Sequence, residues 1–393
     1  MKKVLSLVFA ALVLLGAFPL VSGADSEPVT INVYNWGQYI GVGEDGTIDV
    51  NKAFTEATGI RVNYVTYDSN EAMYTKLELG GANYDVVIPS DYMIARMIQN
   101  DMLEKLDFSN IPNAQYVPEE FRNLSFDPTG EYSVPYTYGA VGIIYNTKYV
   151  DKEDIGSWDL LWNEKYKGKI LMINNPRDAF GIAEFLNGDD INSTDLDVLD
   201  RAYEKLKEQK PLVKKYVMDD VFAMMQNEEA WIATYYVGDF LTMKQENDAL
   251  EFYYPKEGFN YFFDSICIPK GAKHKKEAEA YINFLCNPEI SGKNMDAIGY
   301  SSPIAGNTDY MSEDFAELVH SYADADQMKQ GTIFSNLPTD TLQYMDKLWS
   351  ELKTSSLNNV LLWGICGVVV VAVAALIFLL GKKKKKKKDL YYE

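Results

Sequence analysis

Histidine is nearly missing from this chain of 393 residues: there are two, His274 and His320, and the first stands between Lys273 and Lys275 in a solvated setting. Cysteine is scarce too, at three. With so few of the two residues that most often ligate transition metals, no HExxH or paired-Cys spacing can be drawn. No Walker loop and no Ser-elbow motif occurs either. Together these gaps leave the enzymatic signals nearly absent. Acidic residues are abundant, so a carboxylate pair for glycoside chemistry is not removed by pattern, but nothing singles out a pair. Cys267, in Ile266-Cys267-Ile268, and Cys286, in Phe284-Leu285-Cys286, read as buried free thiols filling core space, with a disulfide between them as the alternative.

Charge is missing from two stretches. Residues 1–24 hold Lys2 and Lys3, an apolar run from Val4 to Val21, and small residues Ser22, Gly23 and Ala24. That is the pattern of a secretory signal cut after Ala24. From Val360 to Leu380 there are 21 residues without a charge, enough to span a bilayer. Lys382–Lys388 follow, which should remain cytoplasmic and place everything before Val360 outside the membrane. The six residues 354–359 then form a tether, and 381–393 a Lys-rich tail.

Positive charge is the minority sign between those ends. Of 37 Lys and Arg, nine lie in the signal and tail, against two of 57 Asp and Glu, which leaves the outer portion near −27. Such a surface repels nucleic acid and anionic lipid and attracts small cations.

Along the chain, Val29, Ile31 and Val33 alternate as a strand and end in Tyr34-Asn35-Trp36-Gly37-Gln38-Tyr39. Gly41-Val42-Gly43-Glu44-Asp45-Gly46 formally fits a dinucleotide fingerprint, but its two acids would repel a pyrophosphate, and it reads as a loop. A helix near Val50–Thr58, a strand over Ile60–Tyr67, a helix over Asn70–Leu79, a strand over Tyr84–Pro89 and a helix over Tyr92–Gln99 follow. That alternation predicts a parallel sheet flanked by helices. Strands over Tyr132–Asn146 leave this lobe. A second lobe runs through a helix opened by Ser157, a strand over Lys169–Ile173 and helices near Ala179–Leu186, Asp195–Lys207 and Asp220–Gln226. Strands over Ala230–Tyr236, Phe252–Pro255 and Tyr261–Pro269, and helices over Lys275–Cys286 and Thr341–Leu352, complete the outer portion. Two crossings imply two discontinuous α/β lobes joined by a hinge around a cleft. We expect residues 25–139 and 264–308 in one lobe and 140–263 and 309–353 in the other.

Several strand ends in this scheme carry aromatics and acids together: Trp36 and Tyr39; Ser90-Asp91-Tyr92; Asn174-Asn175-Pro176-Arg177-Asp178; Tyr235-Tyr236-Val237-Gly238-Asp239. Asp264 interrupts the apolar run Tyr261–Ile266. Carboxylates hold ammonium groups by charge-assisted hydrogen bonds, and aromatic faces add cation–π attraction of roughly 0.5–2 kcal/mol each. The set suits an elongated organic cation.

These stretches carry a family resemblance. YNWGQYI at 34–40, YDVVIPSDYM at 84–93, VPYTYGAVGIIYN at 134–146, SWDLLWNEKYKGKI at 157–170, FFDSICIP at 262–269, INFLCNP at 282–288 and IGYSSPIAGN at 298–307 are similar, in this order, to substrate-binding proteins of bacterial spermidine/putrescine ABC importers. The resemblance covers about residues 29–353. It implies the type II periplasmic-binding fold, a polyamine ligand, permease partners, a monomer, no cofactor and no enzymatic activity. Position by position it implies an aromatic wall at Trp36 and Tyr39, contacts from Ser90 and Tyr92, and acids at Asp178, Asp239 and Asp264. Tyr236, Phe262 and Tyr300 complete the implied site. Gly37 and Gln38 depart from the pattern, standing where a hydroxyl residue and an acid are usual, and Asn175 stands where some members have Asp. A receptor for iron(III) on a related fold, and a tethered glycoside-active enzyme, are the competing expectations.

Overall fold

A computed structural model describes residues 28–80 and 83–354. The signal at 1–24, the span at 360–380, the tail at 381–393 and all but the first residue of the tether lie outside the described residues. Among the described residues no helix is long and apolar enough to cross a membrane.

Among the described residues nine strands alternate with helices: β1 (Thr30–Trp36), β2 (Arg61–Tyr67), β3 (Val86–Val87), β4 (Ser133–Asn146), β5 (Ile170–Ile173), β6 (Val213–Val217), β7 (Ile232–Tyr236), β8 (Leu250–Tyr253) and β9 (Tyr261–Cys267). Their order is β2-β1-β3-β9-β4-β7-β5-β6, with β8 paired to β4. Strand β1 is flanked in parallel by β2 and β3, and β5 in parallel by β6 and β7. The long β4 links these halves. Ser133–Ala140 pair antiparallel with β9, and Val141–Tyr145 pair antiparallel with β7. One strand thus belongs to both half-sheets, and the cleft opens where it changes partner. The architecture is the expected two-lobed α/β arrangement.

Local chemistry fixes the helices that carry the site. In Pro176–Asn187, Asn175 accepts the Arg177 N–H at 3.0 Å and Pro176 stands in the first turn, where a missing N–H costs nothing. Val50–Thr58 starts on Asp49, whose side chain accepts the Lys52 N–H. Ser157 opens a turn as expected, but of 3-10 type, over Trp158–Trp162. The Gly41–Gly46 stretch is a turn, with Gly43 N–H bonded to the Ile48 carbonyl and Val50 N–H to that of Gly41.

Some elements were not legible. Strand β6, Val-Lys-Lys-Tyr-Val, exposes two lysines and so presents no apolar run. The helix Val237–Glu246 starts directly from β7 without a side-chain cap and has Gly238 in its first turn. Helices Pro288–Ile298 and Glu313–Tyr322 were also unanticipated. Strand β3 is shorter than the reading of Tyr84–Pro89. Cys267 and Cys286 are buried and free.

The last helix, over 339–354, lies on the second half. Tyr344 donates to Asp200 at 2.7 Å, Lys353 to Asn174 at 2.9 Å, and Trp349 meets Tyr216 edge-on at 5.3 Å.

Candidate functional site

The carboxyl ends of β1, β2, β3, β5, β6 and β7 converge on one cavity of about 460 Å³ between the halves, the position at which open α/β sheets bind ligands. All ten residues singled out in the sequence line it: Trp36, Tyr39, Ser90, Tyr92, Asp178, Tyr236, Asp239, Phe262, Asp264 and Tyr300.

Two buried aspartates, Asp178 and Asp264, and a half-buried third, Asp239, each receive a phenol. Tyr39 donates to Asp264 Oδ2 at 2.6 Å, Tyr236 to Asp178 Oδ2 at 2.8 Å and Tyr300 to Asp239 Oδ2 at 2.8 Å. Asp178 and Asp239 sit in the first turns of helices, where the helix dipole favours a negative charge. Asp264 is instead in mid-strand, on β9. Burial pushes the Asp264 carboxyl up to about 6, with Ser90 and Tyr39 pulling it partly back. Burial likewise raises Asp178 to about 6, against the Tyr236 phenol and the Arg177 charge. Asp239 rises to about 7, chiefly by burial, with Asp219 and Asp264 adding to the shift and Tyr300 opposing it. The Oδ1 atom of Asp264 is buried without a partner among the described residues. A desolvated carboxylate in this state gains most from a cation that brings its own N–H donors.

The phenols themselves are held as neutral donors. Burial and the adjoining carboxylates push Tyr39, Tyr236 and Tyr300 well above the ordinary phenol range. Their rings build the walls. Tyr39 meets Tyr300 edge-on at 4.8 Å, Tyr236 meets Phe262 at 5.3 Å, and Trp36 tilts on Tyr67 at 4.6 Å. Tyr300 lies flat on Gly238, where an added Cβ would approach three ring carbons to 2.7 Å. Ser90 heads the helix Asp91–Gln99 without a side-chain capping bond, and bridges to Asp264. Tyr92 donates to Glu71 at 2.9 Å and accepts from Asn70 at 3.0 Å.

Four of the further lining residues shape the site without having been assigned to it from the sequence. Asp91 is fully buried, accepts N–H bonds from Tyr92 at 2.6 Å and Phe263 at 3.1 Å, and fastens β9 beside Ser90. Arg177 is a buried cation that donates to the Ile191 carbonyl and to Asn192, both at 3.0 Å, and stacks at 4.3 Å on Phe334. Phe334 also faces Tyr92 across the cleft at 6.3 Å. Asp219 follows β6, the strand that the pattern did not reveal. Among the described residues, no group of three or more His, Cys, Asp or Glu side chains could hold a metal ion.

The chain matches the family described as bacterial extracellular solute-binding protein over residues 50–324. It is 34% identical over 330 residues to the spermidine/putrescine-binding periplasmic protein of Salmonella typhimurium, covering 84% of this chain and 92% of that one. The putrescine-binding periplasmic protein SpuD of Pseudomonas aeruginosa is 29% identical over 375 residues, covering 90% and 100%. Among solved structures, the spermidine/putrescine ABC transporter substrate-binding protein PotD of Streptococcus pneumoniae, in complex with calcium and HEPES, superposes with a TM-score of 0.69 at 35% identity, covering 83% and 99%. The Tp0655 (TpPotD) lipoprotein of Treponema pallidum gives 0.72 at 26% identity, covering 82% and 99%. With the fold, the cleft and both kinds of likeness in agreement over most of its length, the chain belongs to the bacterial extracellular solute-binding proteins, a family of binding proteins and not of enzymes.

Proposed function

We propose that this protein is an extracytoplasmic polyamine receptor that delivers putrescine- or spermidine-like cations to an ABC importer. The observation that carries the reading is the trio of cleft aspartates, Asp178 and Asp264 buried and Asp239 half-buried, each bonded to a tyrosine of an aromatic-walled cavity. Ammonium groups satisfy the carboxylates, and methylenes between them gain about 0.8 kcal/mol per buried CH₂ against the rings. Trp36, Tyr39, Ser90, Tyr92 and Asp264 contribute from the lobe of residues 25–139 and 264–308. Asp178, Tyr236 and Asp239 contribute from the lobe of 140–263 and 309–353, so that the ligand draws the two together. The similarity to proteins named for spermidine and putrescine supports the same assignment. Calorimetry of residues 25–353 against putrescine, spermidine, spermine and agmatine tests it. We expect about micromolar binding or tighter for at least one; no heat from any of the four overturns the proposal.

We also propose that residues 360–380 anchor the receptor, with 354–359 as a short tether and Lys382–Lys388 held at the anionic inner leaflet. Six residues reach at most about 20 Å, which keeps the receptor beside its permease. A chain ended after Lys353 should appear in the medium, with high-affinity uptake lost. Retention of that shortened chain at the membrane would overturn the anchor.

A further inference from the structure

The acids of the cleft fall into separate stations. Asp264 and Asp239 form one, because Tyr39 and Tyr300, which hold them, have rings in contact at 4.8 Å. Asp264 is only 4% exposed, and its Oδ1 has no partner among the described residues. Asp178 forms the second, with Tyr236 and Asn260 on its two oxygens and Arg177 adjacent in sequence. The third lies at the mouth. Asp219 follows β6 on the second lobe and is exposed, whereas Gly37, just beyond β1, belongs to the first. A Cβ on Gly37 would come within 3.0 Å of Asp219 Oδ2. The missing side chain therefore lets this carboxylate cross the mouth beside Trp36. Gln38 next to it is neutral and held at a φ of 49°. Asp220 is paired with Lys215, whereas among the described residues no cation is bonded to Asp219 or to Asp68, which lines the same cavity from the first lobe. The Tyr216 hydroxyl, on the same segment as Asp219, is buried without a partner among the described residues.

We propose that Asp219, with Asp68 opposite it, is a third cation subsite at the mouth of the cleft, and that the preferred ligand is accordingly a polyamine with at least three ammonium groups. The inference rests on the polyamine reading above. The two inner stations suffice for the ends of a diamine. A longer chain running outward past Trp36 places its next ammonium between carboxylates of opposite lobes. There it removes their mutual repulsion and favours closure.

The test is calorimetry of the detergent-solubilised full-length chain with spermidine and with putrescine. In Asp219→Asn, spermidine affinity should fall about tenfold, the worth of one partly exposed charge-assisted bond, while putrescine affinity changes less than about threefold. Gly37→Ala, which presses on the same carboxylate, should reproduce that selective loss. Adding Gln38→Glu to Asp219→Asn should return part of the spermidine affinity by restoring charge from the other lobe. Equal losses for the two ligands would mean a general field and no subsite, and unchanged spermidine affinity would remove the role of Asp219; either overturns the proposal. A wild-type chain that binds neither ligand overturns it as well, by removing the polyamine reading itself.

Discussion

Replacing Asp264 with alanine should lower polyamine affinity more than about a hundredfold. Leaving one member of a buried ion pair without its partner costs about 3–5 kcal/mol, and each 1.4 kcal/mol is about tenfold in affinity. Asp264 meets the conditions for the upper part of that range. It is buried on β9, one oxygen is engaged by Tyr39 at 2.6 Å, and the other has no partner among the described residues. An ammonium entering the variant cleft would give up its water without the β9 carboxylate that answers its charge, leaving the Tyr39 and Ser90 hydroxyls in its place. Asp264→Asn separates charge from shape, since it keeps the volume and removes the charge, and its loss should approach that of alanine. Neither variant should unfold the protein. Burial disfavours the ionised carboxylate, so deleting it should leave the melting temperature near pH 8 unchanged or raised. Unchanged affinity in a folded Asp264→Ala protein would refute the assignment of this residue as the ligand's anchor.

Much of this site was legible because its residues are conspicuous against their neighbours. An aspartate inside Tyr-Phe-Phe-Asp-Ser-Ile is costly unless something answers its charge, and that anomaly pointed to Asp264 before any fold was known. Asp178 and Asp239 were legible for a second reason: each closely follows an apolar strand, on the ligand-binding edge of the sheet, although the helix that holds Asp239 was not itself read from the sequence. What escaped the sequence depended on contacts between distant segments. Asp91 looks like a helix cap, and only the bond from the Phe263 N–H makes it the fastening of β9. Arg177 looks like a surface residue near a helix start, and its burial follows from carbonyl and amide partners at 191, 192 and 335. Phe334 lies in a stretch without a periodic pattern, held by Phe259 and Tyr261 through the backbone of Thr332. In the fold, some helices were found nearly to the residue, as with Val50–Thr58, which Asp49 caps, and Asp220–Gln226, which has no side-chain cap. Strand β6 was missed because its exposed lysines hide the period of two.

Lowering the pH from 8 to 5 should weaken polyamine binding at least a hundredfold while making the ligand-free protein more stable. The two effects have opposite signs and one origin. In the folded, ligand-free protein, burial holds the carboxyls of Asp178 and Asp264 near 6 and that of Asp239 near 7, whereas an unfolded chain titrates them near 4. Between those limits the folded state binds more protons than the unfolded one, so stability falls as pH rises through the window. Each unit of separation is worth about 1.4 kcal/mol. Asp91 and Glu184, each pushed up to about 8 chiefly by burial, add to the same trend at its upper end. Below about pH 4 the unfolded carboxylates also take up protons, and the gain stops growing. The ligand reverses the preference, because its ammoniums, with pKa values near that of lysine at about 10, keep their charge throughout and require ionised partners. Binding therefore expels protons from the aspartates, and below pH 6 affinity should fall by about tenfold per pH unit for each carboxylate that must be deprotonated. Two measurements separate the contributions. Melting temperatures without ligand should rise from pH 8 to 5, and the increment given by saturating spermidine should shrink over the same range. Asp239→Asn should flatten the upper part of the affinity profile, nearest pH 7, and leave the part near pH 6 to Asp178 and Asp264. An affinity that stays level from pH 8 to 5 would mean that these carboxyls do not exchange a proton for the ligand, and the trio would then be a structural feature of the cleft and no part of its recognition of cations.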